Sequence, residues 1–476
     1  MIMGFIRKYK NIFIHLVILL GILFFAVFAP DTILHGYNAE QSRTVVLLLI
    51  AIYLWTISKI PTGAAGILLL LLIILFNLTD TAEQAMAGFL KSALYFILIL
   101  SILSDVLIKT EADKLISAKL LKLKNISPKR IVMFLPLLMS LLPIFMPSAF
   151  ARLKTLLPLV ESLNHAFDFP DKSLFKKYAM YVMGFVNQNS TMIVYTGGGY
   201  PILAAQLLSD YDILNIGWLG WFIIVAPPMW CALLVNSIFA WYYLKFSYPS
   251  ESDADFDRSK QQVKHDYHEY EPSKSFWFVI VTFILMISAW VLTSPENVPV
   301  LLPPMILVVL YAMPGIGLIK NEDIRSFPWE NFLMIGAALS VGIVMDENGT
   351  AGRIAEQLIT IVPEDAGMFV SIIIITCIIF LFRMIFIVPT SAVIVIFPVM
   401  VSFADIAGIP PVIVAFIVIM IIGGTNILPI HSPTLFFAFK EGVLTKRDHY
   451  AMAGYSSFTF IIIAILAAST YWMLWV

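Results

Sequence analysis

Charge is what this 476-residue sequence has least of. Only 13% is Asp, Glu, Lys or Arg, against roughly 25% in an average soluble domain, and 60% is hydrophobic. That much apolar surface cannot be hidden in a water-soluble core, so an integral membrane protein remains. Ten-residue segments of alternating polarity are missing, which excludes a membrane barrel. The apolar runs are about 20 residues long, the length of a helix crossing roughly 30 Å of hydrocarbon. Net charge is −1 and no basic run is interleaved with aromatics, so no nucleic acid partner is expected. The two cysteines, Cys231 and Cys377, fall in apolar segments without metal-ligand spacing and read as packing residues. No His/Asp/Glu grouping suits an enzyme acting on a lipid phosphate, and no cofactor is expected.

The first apolar segment, Asn11 to Pro30, follows Arg7, Lys8 and Lys10. It resembles the start of a signal peptide but is long enough to span and lacks a small-residue cleavage site, which predicts an uncleaved first helix. Further spans are expected near residues 44 to 58, 61 to 79, 86 to 108, 178 to 208, 217 to 245, 276 to 293, 299 to 316, 330 to 345, 411 to 438 and 455 to 475, giving about 11 transmembrane helices in an all-α fold. Two apolar stretches, 131–163 and 367–403, are interrupted by Met146-Pro147-Ser148 and Val388-Pro389-Thr390-Ser391 and are expected to be re-entrant hairpins.

Lysines and arginines collect in three loops: Lys109 to Arg130, Lys172 to Lys177, and Lys440 to Arg447. The other loops hold acids such as Asp80, Asp210 and Glu364. The positive-inside rule then puts the amino terminus in the cytoplasm and the carboxyl terminus outside. Residues 251–274 are polar, charged and read as a solvated linker.

The chain repeats itself across that linker. Ser101-Ile102 matches Ser340-Val341 at an offset of 239, Pro158 matches Pro398 at 240, and Thr196 matches Ser432 at 236. An odd number of crossings separates the copies, so they are expected to have opposite orientation, as in secondary transporters. The organisation expected is scaffold helices over 1–85, a first repeat over 86–245, a cytoplasmic linker over 246–275, scaffold helices over 276–329 and a second repeat over 330–476.

The segment Trp329 to Gly336, continued by Leu339-Ser340-Val341-Gly342 and Met345 to Ala351, resembles a signature of the divalent anion/sodium symporter family, as does its earlier copy from Gly88 to Ile116. The resemblance covers most of the chain from about residue 40. It implies an elevator-type homodimer carrying dicarboxylates, citrate or sulfate, mostly with sodium, and a Ser-Asn-Thr motif at each hairpin tip. Here the tips read Ser148-Ala149-Phe150 and Val388-Pro389-Thr390. Without the two asparagines, sodium coupling and ordinary dicarboxylate recognition lose their usual ligands. The coupling ion is left as Na+, H+ or a counter-anion.

Positive charge stands in the gap. Arg152, four residues after Ser148, shares its helical face, and its guanidinium suits carboxylate, sulfate or phosphate. The alternative for Arg152 and Lys154 is a shallow hairpin from which both snorkel to headgroups. Arg383 poses the same choice beside the second tip, whereas Lys91 and Asp105 sit near span ends and read as interface anchors.

The polar breaks Asn187-Gln188-Asn189-Ser190-Thr191, Tyr195-Thr196-Gly197-Gly198-Gly199, Gly423-Gly424-Thr425-Asn426 and His431-Ser432-Pro433 interrupt apolar helices. Such glycines admit a ligand to the backbone and leave amides free for an anion, or else allow close helix packing. The expected substrate-binding residues are Ser148, Ala149, Arg152, Asn187, Asn189, Thr196, Thr390, Ser391, Thr425, Asn426, Ser432 and Pro433, with the site between the two tips. Ser148, Tyr195, Thr390 and His431 are the candidates for contact with a coupling cation, His431 by proton exchange near neutral pH. The expected partners are a small anion, the lipid bilayer and a second copy. A cation/proton antiporter is the rival, but its deep acidic residue is not evident.

Overall fold

The computed structural model describes residues 34–110, 127–249, 272–363 and 365–475, with Val17, Leu20, Gly21 and Phe24 from the first segment. Most of the expected span at 11–30, the lysines from Lys114 to Lys124, Glu364 and most of the charged linker lie outside the described residues. The described residues are overwhelmingly helical and contain no strand. The apolar composition dictates this, because only helices satisfy their backbone groups within one segment.

In chain order the principal helices are α1 (Ala39–Thr56), α2 (Thr62–Leu75), α3 (Ser92–Lys109), α4 (Pro128–Leu141), α5 (Ala149–Ala166), α6 (Leu174–Tyr181), α7 (Gly199–Asp210) and α8 (Trp218–Ser247). They continue with α9 (Lys274–Leu292), α10 (Leu302–Ala312), α11 (Trp329–Glu347), α12 (Thr350–Ile359), α13 (Met368–Ile385), α14 (Pro389–Ala407), α15 (Pro411–Gly424), α16 (Pro433–Lys440) and α17 (Lys446–Ser469). Seven described helices, α3, α8, α9, α11, α13, α14 and α17, are long and apolar enough to cross a membrane by length and composition. Helices α2, α10 and α15 are apolar but shorter.

Local chemistry explains where helices start. Ser127 caps α4, with Pro128 in the first turn where its missing N–H is harmless. Pro389 opens α14 and Pro433 opens α16 in the same way. Helices α4 and α5 are separated by a short 3-10 turn, Leu142–Ile144, and a tip ending at Ser148; α13 and α14 are separated by Phe386 to Val388. The starts of α4 and α13 are offset by 240 residues, as are those of α5 and α14.

The chain divides into two compact units, residues 1–94 with 328–418, and residues 95–327 with 419–476. In the first unit α11 packs on α2, and the short helix Ala87–Leu90 lies against α11. Gly88 is required there, because a Cβ would fall 2.3 Å from the Gly336 carbonyl oxygen. Its N–H donates to Ser340 Oγ at 3.1 Å. Asn348 ties α1 to α12, donating to Thr44 Oγ1 at 2.7 Å and accepting from the Thr350 N–H at 3.1 Å.

In the second unit the long helices α8 and α17 pack together. Asn236 donates to Ser456 Oγ at 3.0 Å, and Phe239 stacks on Tyr455 with centroids 3.4 Å apart. At one end of this pair Asp448 accepts from Tyr248 at 2.8 Å, and Lys177 of α6 sits over the Tyr248 ring at 3.6 Å. These contacts frame the interrupted segment between α6 and α7.

Candidate functional site

The candidate site lies within the second unit, where hairpin α4–α5 meets two broken segments. Helix α6 does not run on regularly. It passes into a π turn over Val182–Val186, then a single helical turn Asn187–Ser190 and a 3-10 turn Thr191–Ile193 before α7 begins. π turns of this kind recur at functional sites, because they free backbone carbonyls. Here the Gly184 carbonyl accepts from Thr434 Oγ1 at 3.1 Å.

At the hairpin tip Ser148 caps α5, its Oγ accepting from the Ala151 N–H at 3.2 Å. One turn later Arg152 is fully buried, at 0% exposure, so it does not snorkel. Its Nε donates to Asn187 Oδ1 at 2.8 Å and its Nη2 to the Asn187 carbonyl at 3.1 Å, while Nη1 donates to the Met146 carbonyl. Asn187, also fully buried, turns its Nδ2 to the carbonyls of Ala149 at 2.8 Å and Met183 at 3.2 Å. Because arginine only donates and carbonyls only accept, the orientation of Asn187 is fixed.

The electrostatic consequence is plain. Every hydrogen-bond partner of Arg152 is neutral, and no carboxylate pairs with it among the described residues. A guanidinium has five N–H donors, of which three are used, so one on each terminal nitrogen remains. Lys154, by contrast, is exposed and lies over the Phe150 ring at 4.7 Å.

Two further polar knots adjoin this one through consecutive residues. Gln188 Oε1 accepts from Ser432 Oγ at 2.6 Å and from Thr434 Oγ1 at 3.3 Å. Asn426 Nδ2 donates to Asn189 Oδ1 at 2.9 Å and to the Gly423 carbonyl at 3.3 Å. Ser432 caps α16 and accepts from the Thr434 N–H at 3.2 Å. The loop between the two breaks turns back tightly at Gly197, where a Cβ would fall 2.2 Å from the Thr191 carbonyl oxygen. The next residue, Gly198, brings that loop to the hairpin tip, its Cβ direction pointing 3.6 Å from the Pro147 carbonyl oxygen.

Ala149, Arg152, Asn187, Asn189, Asn426 and Ser432 are therefore joined through one short helical turn, while Ser148 bonds within its own helix as its cap. Thr196 Oγ1 sits apart, accepting from Trp218 Nε1 at 3.1 Å, and Thr425 Oγ1 returns to the Ile421 carbonyl at 2.6 Å. Pro433 serves as the first helical residue of α16. Tyr195 packs its ring against Phe96 and Trp221, and His431 is buried in a 3-10 turn. Thr390 and Ser391 belong to the first unit, at the start of α14, where Ser391 is buried. Gln188, Thr434 and the Met146 carbonyl were not among the residues expected. Gln188 was flanked by two of them, and Thr434 followed Ser432-Pro433; no residue-type signal marks a backbone carbonyl.

A family model described as the sodium:sulfate symporter transmembrane region matches residues 8–476. An uncharacterized transporter of Methanocaldococcus jannaschii is 24% identical over 260 residues, covering 54% of this chain and 55% of that protein. A membrane protein of Cupriavidus necator is 20% identical over 348 residues, covering 68% and 66%. The chain thus spans between half and two thirds of the length of these relatives.

Proposed function

The chain belongs to the sodium:sulfate symporter family, and we propose on that footing that it is a secondary transporter of a small oxyanion of the sulfate or dicarboxylate class. The observation that carries this reading is Arg152. A fully buried cation with only neutral partners and two unused N–H groups is complementary to an anion that brings its own charge. Burying such a charge unpaired is unfavourable by several kcal/mol, so a bound anion is stabilised where a neutral solute is not.

The same guanidinium already supplies a positive charge at this tip and draws the Met146 carbonyl, the Asn187 carbonyl and the Asn187 side chain together. Transport in this reading needs no sodium, and a proton or a counter-anion balances the substrate charge. The protein works as a homodimer in the cell membrane with its amino terminus cytoplasmic, alternating access by elevator movement.

The test is a thermal-stability screen on purified protein with sulfate, succinate and citrate, in sodium and in choline, followed by flux into proteoliposomes. Binding raises the melting temperature by mass action. Stabilisation and uptake by at least one of these anions in choline are expected. Uptake that vanishes without a sodium gradient would overturn the sodium-independent mechanism, and no stabilisation by any of the three would overturn the anion reading.

A further inference from the structure

Within the turn Asn187–Ser190 the side-chain amides are oriented by their neighbours. Gln188 lies 2.6 Å from Ser432 Oγ, a separation that suits O–H···O and is short for N–H···O. The atom facing Ser432 is therefore the Gln188 carbonyl oxygen, which Thr434 Oγ1 also approaches at 3.3 Å. The Gln188 NH2 group has no partner among the described residues. Asn426 is fixed by the Gly423 carbonyl, which only accepts, so the Asn426 amide nitrogen faces Asn189 and the Asn189 oxygen receives it. The Asn189 NH2 group, on a side chain 2% exposed, likewise has no partner among the described residues.

We propose that Gln188 and Asn189 are specificity-determining residues that present amide N–H donors to the same oxyanion that Arg152 neutralises. The inference rests on the anion reading above and extends it to two further residues that select among solutes. The Gln188 oxygen faces Ser432 and the Asn189 oxygen faces Asn426, so the groups this pair has free of any partner among the described residues are its N–H donors. It favours a fully ionised oxyanion, such as sulfate or a dicarboxylate dianion, over solutes that must donate a proton. Buried donors left unpaired by a poor substrate are what make such a site selective. Ser432 and Thr434 act as positioning residues by holding the Gln188 oxygen away from the substrate.

The experiment compares the full-length wild type with Gln188→Glu and Asn189→Asp. Both changes are nearly isosteric, keep an oxygen for the locking partner and replace NH2 by a carboxylate oxygen. Thermal stabilisation by potassium sulfate and by potassium succinate is measured on purified protein at neutral pH, with uptake of the radiolabelled anions into proteoliposomes. Each variant is expected to lose affinity by about 10- to 100-fold, the value of one or more hydrogen bonds to a charged group. Ser432→Ala, which releases the Gln188 amide without removing it, is expected to lose less than Gln188→Glu. Wild-type stabilisation with both carboxylate variants binding within twofold of wild type overturns this inference and leaves the anion reading standing. No wild-type response to sulfate, succinate or citrate, as potassium or as sodium salts, overturns both. If Gln188→Glu does not fold, Gln188→Leu removes the donors without adding charge and is read in the same way.

Discussion

Replacing Arg152 tests whether its charge serves a ligand or only the fold. In Arg152→Ala the empty protein loses three hydrogen bonds, to the Met146 carbonyl, the Asn187 carbonyl and Asn187 Oδ1. Buried acceptors left unsatisfied cost about 1–3 kcal/mol each. Against this, removing a cation with no ion-pair partner among the described residues relieves a desolvation penalty of several kcal/mol. The two effects oppose each other and are similar in size, so the melting temperature of the empty protein is expected to move little.

For the anion-bound protein nothing offsets the loss. Two N–H groups remain for a ligand, and at about 1.5–3 kcal/mol per charge-assisted bond the deficit is about 3–6 kcal/mol, or 10²- to 10⁴-fold in affinity. Anion-induced stabilisation and uptake should both disappear. Arg152→Lys keeps the charge, but a point-like ammonium cannot reach all three acceptors as a planar fork does, and an intermediate loss of about tenfold is expected. The assay is a melting curve with and without sulfate or succinate, paired with uptake. An Arg152→Ala protein that melts lower than wild type yet keeps the full anion shift would show that the guanidinium only pins the tip.

Three other perturbations separate pinning from binding elsewhere. Asn187→Asp places a carboxylate against Arg152 and two carbonyl oxygens, so a new ion pair offsets repulsions of about 1–3 kcal/mol each; melting should change little while uptake is abolished, and normal uptake would refute internal neutralisation. Gly197→Ala forces a Cβ against the Thr191 backbone, an overpacking of about 1–3 kcal/mol, and should lower both melting temperature and anion affinity. Outside the spans, Asp323 donates its charge to a surface pair with Lys109, whose hydrogen bond holds the Asp323 carboxyl below the usual carboxylate range, helped by the Lys320 N–H. A depressed folded pKa means stabilisation present above the unfolded value of about 3.9 and lost as pH falls through the folded one. Asp323→Asn should therefore lower stability slightly at neutral pH and not at all in strong acid, as read by melting curves across pH.

The helical class, the family and the places where helices break were legible in the sequence because each depends on composition or on a few residue types. Low charge and long apolar runs leave only helices, and Pro128, Pro389 and Pro433 mark helix starts through their missing N–H. The break at 187–191 was legible as polar sequence, but the π turn over the apolar residues Val182–Val186 was not, because it depends on how α16 packs its Thr434 against the Gly184 carbonyl. The choice between a buried and a snorkelling Arg152 was not legible either. Helical spacing puts it on the Ser148 face in both cases, and only Asn187, 35 residues away in sequence, decides where the guanidinium ends.

The two hairpins carry this point further. Aligned at an offset of 240, Arg152 and Arg383 do not correspond: one lies in the first turn of the second arm, the other in the last turn of the first arm. One hydrogen bond of each does correspond. Arg152 donates to the Met146 carbonyl, and Arg383, equally buried, donates to the Phe386 carbonyl at 2.5 Å; Met146 and Phe386 are themselves 240 residues apart. Each unit thus caps the equivalent tip carbonyl with a guanidinium reached from a different arm. A residue-by-residue alignment cannot see this equivalence, because what the copies share is a backbone oxygen and the charge that meets it. Asn187 adds an amide to the first tip in a comparable way: it reaches the Ala149 carbonyl from the broken helix and places its own oxygen against Arg152. At the first tip an amide comes from the broken helix and a cation from the first turn of the second arm, and the two meet at hydrogen-bond distance.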